Sequence, residues 1–598
     1  MKRFNRVLAG LGLGLFLSSV GIAGGETGNA PKREKRLQKR VEIKVTAWGR
    51  SQAEVDAAAA RIERSAEVQK ELAGTRYRRL ESNYIETEVK GQSSPIPNRL
   101  RVVFYDYTND RTIVAEGGFD ASSPTSAKQE FYQPNPNNEE FAEAIRILQS
   151  DARFSNLMRS DRLRTFRPMP PVSVISGTTE RLVNIGIEGM GDETANEVVS
   201  VSVKRGEVLR YESRAPESSA AAPDACGIPN ASQSTVGRGT AGQYQLTVSQ
   251  SGTRDPLWEM LVIRPAASSG TMASGIEIRD VKYKGKSVLK RGHAPVLNVQ
   301  YIPRSGEGTC GPYRDWQYEE GAFSAPATGA TYPNGASGGI AVLADGQIAT
   351  TSLETGTDVG NFRGVAIYRQ GDEVVMVSEM EAGWYRYIME WRFANDGTIR
   401  PRYGFGATNN SCVCYRHNHH VYWRFDFDVV NPNNKVFQME KGRKFLQPLT
   451  TETMRLKNTA TNRSLLIQNA TGDEAYMLVP NITDGDATFK YENGTTTDFG
   501  RGDMWVMKYK NVAGGSNLQN EIDDGWNSIG GTCTTTGGAC ININKFINNE
   551  SIVNEDVVVW YGAHFVHADG SNLMNPDRNP SVLSGLHVVG PDLRPVRW

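Results

Sequence analysis

The stretch His417-Asn418-His419-His420-Val421-Tyr422-Trp423-Arg424-Phe425-Asp426-Phe427-Asp428 decides how this chain folds. Val421 to Val429 reads as a strand. Residues two apart on a strand point to the same face, so His417 and His419 can reach one ion while His420 faces away. Imidazole sites suit copper, zinc or iron. An H-x-H pair alone also fits two hydrogen-bonded histidines on a strand. The chain holds only seven histidines, and five of them fall in two clusters; the second is His564-Phe565-Val566-His567.

Working outward, the chain beyond residue 166 is short strands and turns almost to its end. Val198 to Val203, Ala294 to Tyr301, Val374 to Ser378 and Val557 to Trp560 are examples. Ser218 to Gly242 reads as a small-residue loop. The regular run of strands predicts one large antiparallel β-sandwich over 166–598. The preceding part is mixed. Glu54 to Gly74 predicts a helix, Leu100 to Gly117 a hairpin turning at Thr108-Asn109-Asp110, and Glu139 to Ser150 a second helix. Phe141, Ala144, Ile145 and Leu148 mark that helix's buried face. Residues 41–165 are therefore expected to form a small α+β domain, with Phe166-Arg167-Pro168-Met169-Pro170-Pro171 as a linker.

Composition narrows the function classes. A chain of 598 residues exceeds one ordinary domain of roughly 50–250 residues. Its 67 basic and 67 acidic residues cancel, so no cationic excess is available to hold nucleic acid. Sixty glycines suit a turn-rich β protein. Met1-Lys2-Arg3 and Arg6, then the apolar Val7 to Val20 and the small residues Gly21-Ile22-Ala23, read as a signal peptide over 1–23. The apolar stretch is shorter than the roughly 20 residues of a membrane span, so no membrane association is expected and the product is expected to be secreted or periplasmic. Residues 24–40 are polar and basic and are expected to be disordered. Six cysteines, Cys226, Cys310, Cys412, Cys414, Cys533 and Cys540, suggest disulfides in an exported chain. Their connectivity is open.

His417, His419, Arg424, Asp426 and Asp428 together resemble the copper-ligand strand of the topaquinone-dependent copper amine oxidases, and the chain is identified as a divergent, bacterial-type exported member. In that family a third ligand follows a tryptophan by seven residues; Asp556-Val557-Val558-Val559-Trp560 with His567 has that spacing. His567 is thus the better candidate than His564, although Ala568-Asp569-Gly570 follows where the family has proline and arginine. The frame Gly383-Trp384-Tyr385-Arg386-Tyr387, continuing to Asp396-Gly397-Thr398-Ile399, is similar to the segment whose tyrosine becomes the quinone. Tyr385 matches that tyrosine, while Trp384 and Arg386 replace its asparagine and acidic neighbours. Tyr313-Arg314-Asp315, with Tyr301 fourteen residues before the aspartate, is similar to the catalytic-base motif. The small first domain resembles the family's cystatin-like domain.

The resemblance implies oxidative deamination of a primary amine by oxygen to aldehyde, ammonia and hydrogen peroxide. Copper would sit on His417, His419 and His567, and topaquinone would derive from Tyr385. Asp315 would be the base that takes the substrate's α-proton, Tyr301 would hydrogen-bond the quinone oxygen, and Tyr313 would line the entry. Asp426, Asp428 and Asp556 resemble a peripheral calcium site, whose oxygen donors suit that ion. The resemblance also implies a homodimer, with a substrate channel built from loops such as Gly329 to Gly339. Trp384 and Arg386 keep a second expectation in view: a non-catalytic copper-binding relative acting outside the cytoplasm.

Overall fold

The computed structural model describes residues 41–85, 91–167, 172–174, 178–189, 196–210, 235–236, 242–268, 275–301, 319–321, 339–351, 355, 360–362, 364–382, 385–407, 417–443, 445–482, 484–485, 502–510, 543–567 and 589–598. The signal peptide, the 24–40 segment and all six cysteines lie outside these residues, as do 329–338 of the proposed channel loop. No helix among the described residues is long and apolar enough to cross a membrane.

Two large sheets carry the fold. The first orders Val41–Trp48, Gln243–Gln250, Pro256–Ile263, Glu277–Tyr283, Lys286–Tyr301, His417–Phe427, Val557–His567, Met504–Lys508 and Thr453–Arg455 side by side. Each neighbouring pair is antiparallel. The second includes Glu373–Ala382, Tyr385–Ala394 and Ile399–Ala407 in succession, then Asp592–Arg597, Ala475–Val479, Ser464–Asn469 and Asn434–Met439. One parallel pair, Ile340–Val342 with Val365–Gln370, extends it.

The sheets pack face to face through alternating apolar positions. Trp423, Phe425, Val559 and Tyr561 from the first sheet share one core with Tyr385, Tyr387, Trp391 and Phe393 from the second. Trp391 meets Trp423 edge to face at 5.3 Å between ring centroids, and Trp258 meets Phe393 at 5.0 Å. These aromatic contacts fix the separation of the sheets and therefore what can sit between them. The turn at Asp396-Gly397 returns the Tyr385 strand on itself. Thr398 N–H donates to Asp396 Oδ1 at 2.8 Å, and Gly397 adopts φ +94° beside the Tyr283 ring, where a Cβ would lie 2.5 Å from a ring carbon.

Two smaller sheets precede the sandwich. Tyr77–Ile85, Arg99–Asp106, Arg111–Gly118 and Ser126–Glu130 form one, covered by the helices Gln52–Glu63 and Ala66–Leu72. The expected single helix over 54–74 is two helices. Ser51 caps the first in a capping box with Glu54, and Ser65 caps the second by accepting from Val68 N–H. A serine hydroxyl that takes a backbone N–H starts a new helix rather than continuing the old one. Asn138–Ser150 follows the expected 139–150, burying Ala144 and Leu148. It packs on the other small sheet, built from Leu163–Phe166, Val172–Val174, Arg181–Gly189, Asn196–Ser202 and Glu207–Arg210.

Strand pairing thus divides the chain differently from the expected 41–165 and 166–598. Val41–Trp48 pairs with Gln243–Gln250 and belongs to the sandwich. Leu163–Phe166 pairs with Arg181–Gly189, so a second α+β layer runs across the expected boundary. Sequence patterning assigns strands but not their partners, and these partners lie far along the chain.

Candidate functional site

The two histidine clusters lie on adjacent, directly paired strands. His417 stands opposite His567, His419 opposite Phe565 and His420 opposite His564. Positions 417, 419 and 567 therefore share one face of the ladder, while 420 and 564 share the other. On its far side His417 is paired with Tyr301, so a single row crosses three strands at Tyr301, His417 and His567. The described side chains at this end are those of His419, His420 and His564.

The second sheet brings Tyr385 to the same face. Tyr385 begins its strand, paired with Ala382 across a two-residue hairpin connection. Its ring lies edge-on to the His419 ring, 4.6 Å between centroids at 74°. Phe405 stacks on the other side of that imidazole at 4.2 Å. Tyr387, two residues along, stacks on Tyr385 at 5.5 Å and reaches within 6.0 Å of His419. Tyr385 is 1% exposed and His419 2%.

Arg386 alternates to the opposite face of its strand from Tyr385. It is fully buried there and lies 3.6 Å from the carboxylate of Glu381, its register partner. Its charge thus meets an acid across the hairpin rather than the ring of Tyr385. Nothing in the local sequence marks Glu381 or Phe405 as a neighbour of the site, since both pairings depend on how strands align.

At the other end of the ladder, carboxylate oxygens of Asp426, Asp428 and Asp556 lie within 4.8 Å of one another. Asp426 and Asp428 are buried and Asp556 is partly so. Arg424 approaches Asp426 at 4.0 Å. With a strand rise of about 3.3 Å per residue, this cluster is roughly 20 Å from His419. Asp315, Tyr313 and Trp384 lie outside the described residues, and Tyr301 is described in its backbone alone.

Behind the ladder is an arrangement the sequence did not foretell. His420 Nδ1 lies 2.8 Å from His564 Nδ1, and His564 Nε2 lies 3.2 Å from Asp503 Oδ1. All three side chains are buried. Burial, and then the neighbouring His564, holds the His420 imidazole well below its usual range. Burial pushes the Asp503 carboxyl up, but the hydrogen bond from His564 and the His564 and Lys457 charges outweigh it, and the net direction is down.

No protein-family model and no curated protein sequence matches this chain. Solved structures do match it. A copper-containing benzylamine oxidase from Hansenula polymorpha is 13% identical, with 92% of this chain and 97% of that chain covered and a TM-score of 0.52. An amine oxidase of Aspergillus nidulans is 12% identical, covering 92% and 88% with a TM-score of 0.52. A lysyl oxidase of Pichia pastoris is 12% identical, covering 92% and 90%, also at 0.52. The chain has the fold of the copper amine oxidases, mainly β with large antiparallel sheets.

Proposed function

We propose that this protein is an oxidoreductase that deaminates primary amines oxidatively, using copper held by His417, His419 and His567 and a topaquinone formed from Tyr385. The observation that carries this reading is the edge-on packing of Tyr385 against His419 between the two sheets, both side chains almost inaccessible to water. Three imidazole positions on one face of one ladder form a donor set that suits copper, and the oxidisable ring stands beside them. Copper would supply the redox chemistry that converts the Tyr385 ring with oxygen, and the quinone would supply the electrophile for the amine.

The chain's own residues supply the rest. Phe405 and Tyr387 pack around His419 and Tyr385, keeping solvent off the reacting ring and fixing its tilt. Asp315 would take the proton from the substrate's α-carbon, Tyr301 would hydrogen-bond the quinone oxygen, and Tyr313 would line the approach. The net reaction consumes amine, oxygen and water and yields aldehyde, ammonia and hydrogen peroxide. The Arg386–Glu381 pairing favours catalysis over the non-catalytic alternative, because the cation that departs from the family's pattern is engaged on the far face. Asp426, Asp428 and Asp556 would hold calcium as a structural ion, their clustered oxygens being the hard donors it takes. Export, and assembly as a homodimer, complete the proposal.

The test is a quinone redox stain, with a visible spectrum, on copper-free protein loaded aerobically with Cu(II). Tyr385→Phe is the control. A stain in the parent that is lost in Tyr385→Phe supports the oxidase. Stoichiometric copper with no quinone overturns it and leaves the copper-binding relative.

A further inference from the structure

His420 and His564 stand next to the proposed ligands and take no part in holding copper. They are directly opposed on the ladder, on the face turned away from positions 417, 419 and 567. Their Nδ1 atoms are 2.8 Å apart and their ring centroids 5.0 Å. Asp503, just before the strand Met504–Lys508, closes the chain at His564 Nε2. Asp503 is itself fixed. Lys457 N–H donates to its Oδ2 at 2.6 Å, and Gly562 N–H donates to its carbonyl at 2.8 Å.

His564 Nε2 meets the Asp503 carboxylate as a close charge contact at 3.2 Å rather than through an aligned hydrogen bond. One hydrogen lies between the Nδ1 atoms of His420 and His564, its donor set by the tautomers of the two rings. The Nε2 of His420 has no hydrogen-bond partner among the described residues. The chain ties Asp503 to Val557–His567 and that strand to His417–Phe427, and it does so only in the observed register. A slip of one residue exchanges the two faces of a strand, which would offer position 564 in place of 567. The 420–564 pair is three positions from the 417–567 pair, at the ligand end of the ladder.

We propose that Asp503, His564 and His420 are positioning residues that clamp the two strands from behind and pre-align 417, 419 and 567 for copper. This rests on the copper reading above. Partners that orient a metal site from outside it change metal affinity by about 10–100-fold when removed. Losing one partner strands a buried polar group, whereas replacing both with apolar groups of similar shape is nearly neutral for stability.

The experiment compares wild type with the double variant His420→Leu/His564→Leu, both copper-free. Thermal melting is recorded first, then Cu(II) affinity by competition with a chromophoric chelator, then the Cu(II) electron paramagnetic resonance spectrum. The expected result is a folded protein with a lowered melting temperature, because the buried Asp503 carboxylate loses its His564 contact, together with copper affinity at least 10-fold weaker and an altered, broadened spectrum. His420→Asn, whose amide reaches the place of Nδ1 and can donate or accept there, should stay close to wild type, and His420→Gln, whose amide sits one bond farther out, should not. A folded double variant with wild-type affinity and spectrum overturns the clamp while the copper reading stands. Should the double variant not fold, equal affinities for His420→Asn and His420→Gln overturn the clamp. A wild type that takes up no copper overturns the copper reading and the clamp's role with it.

Discussion

Removing the Arg386–Glu381 pair tests whether Arg386 serves the fold or the chemistry of Tyr385. The two groups are 3.6 Å apart with side chains 0% and 2% exposed. At an effective dielectric of about 20, their gross attraction is about 4–5 kcal/mol. Most of that offsets the cost of taking both charges from water, so the pair's net worth is small. Breaking it from one side is different, because the remaining charge stays buried. Arg386→Met and Glu381→Leu should each cost about 3 kcal/mol, at the lower end for a broken buried pair. Independent effects would sum to about 6 kcal/mol in the double variant, whereas coupling should hold its loss near the pair's small net worth, well below either single variant. Chemical denaturation followed by tryptophan fluorescence reads the cycle. Copper loading and the quinone stain are then applied to the folded double variant, and the stain should persist. Additive losses would refute the pairing. A stable double variant that binds copper but forms no quinone would refute the claim that Arg386 stands apart from Tyr385.

The same geometry sets other outcomes. Phe405→Leu keeps most of the apolar volume but loses the ring stacked on His419, so it should cost only about 1 kcal/mol yet weaken Cu(II) binding measurably in a chelator competition; unchanged binding would mean that stacking does not orient the imidazole. Asp428→Asn removes one of the three clustered carboxylates, and calcium at 100 times its dissociation constant should stabilise the parent by about 2.7 kcal/mol but the variant much less; calorimetry with and without chelator reads the difference. Burial raises the Glu277 carboxyl, but Arg279 and Arg291 outweigh it and take it down from 4.5 to about 2. The unfolded chain then binds this proton more readily than the native one. The contribution is present above pH about 4.5 and is lost as pH falls toward about 2. Glu277→Gln should flatten that limb in an acid titration of stability.

The sequence by itself determined the local periodicities and the division of faces they impose. Alternation along 417–428 put His417 and His419 on one side and His420 on the other, and the resemblance to the copper amine oxidases, through the seven-residue step from Trp560, favoured His567 over His564. The ladder register agrees with that division. The β-rich character, the hairpin at 100–117 and the helix at 139–150 were also legible, because each is set by neighbours a few residues apart. Only the tertiary structure decided what each face meets. The 33 residues between Tyr385 and His419 give no sign that their rings touch, since they belong to different sheets whose spacing is set by Trp391, Trp423 and their neighbours. Asp556 joins Asp426 and Asp428, Val41 joins Gln250, and Asp503 reaches His564 for the same reason. Strand order and register are settled by burying whole apolar faces together. That free energy belongs to the assembled sandwich and to no single stretch of chain.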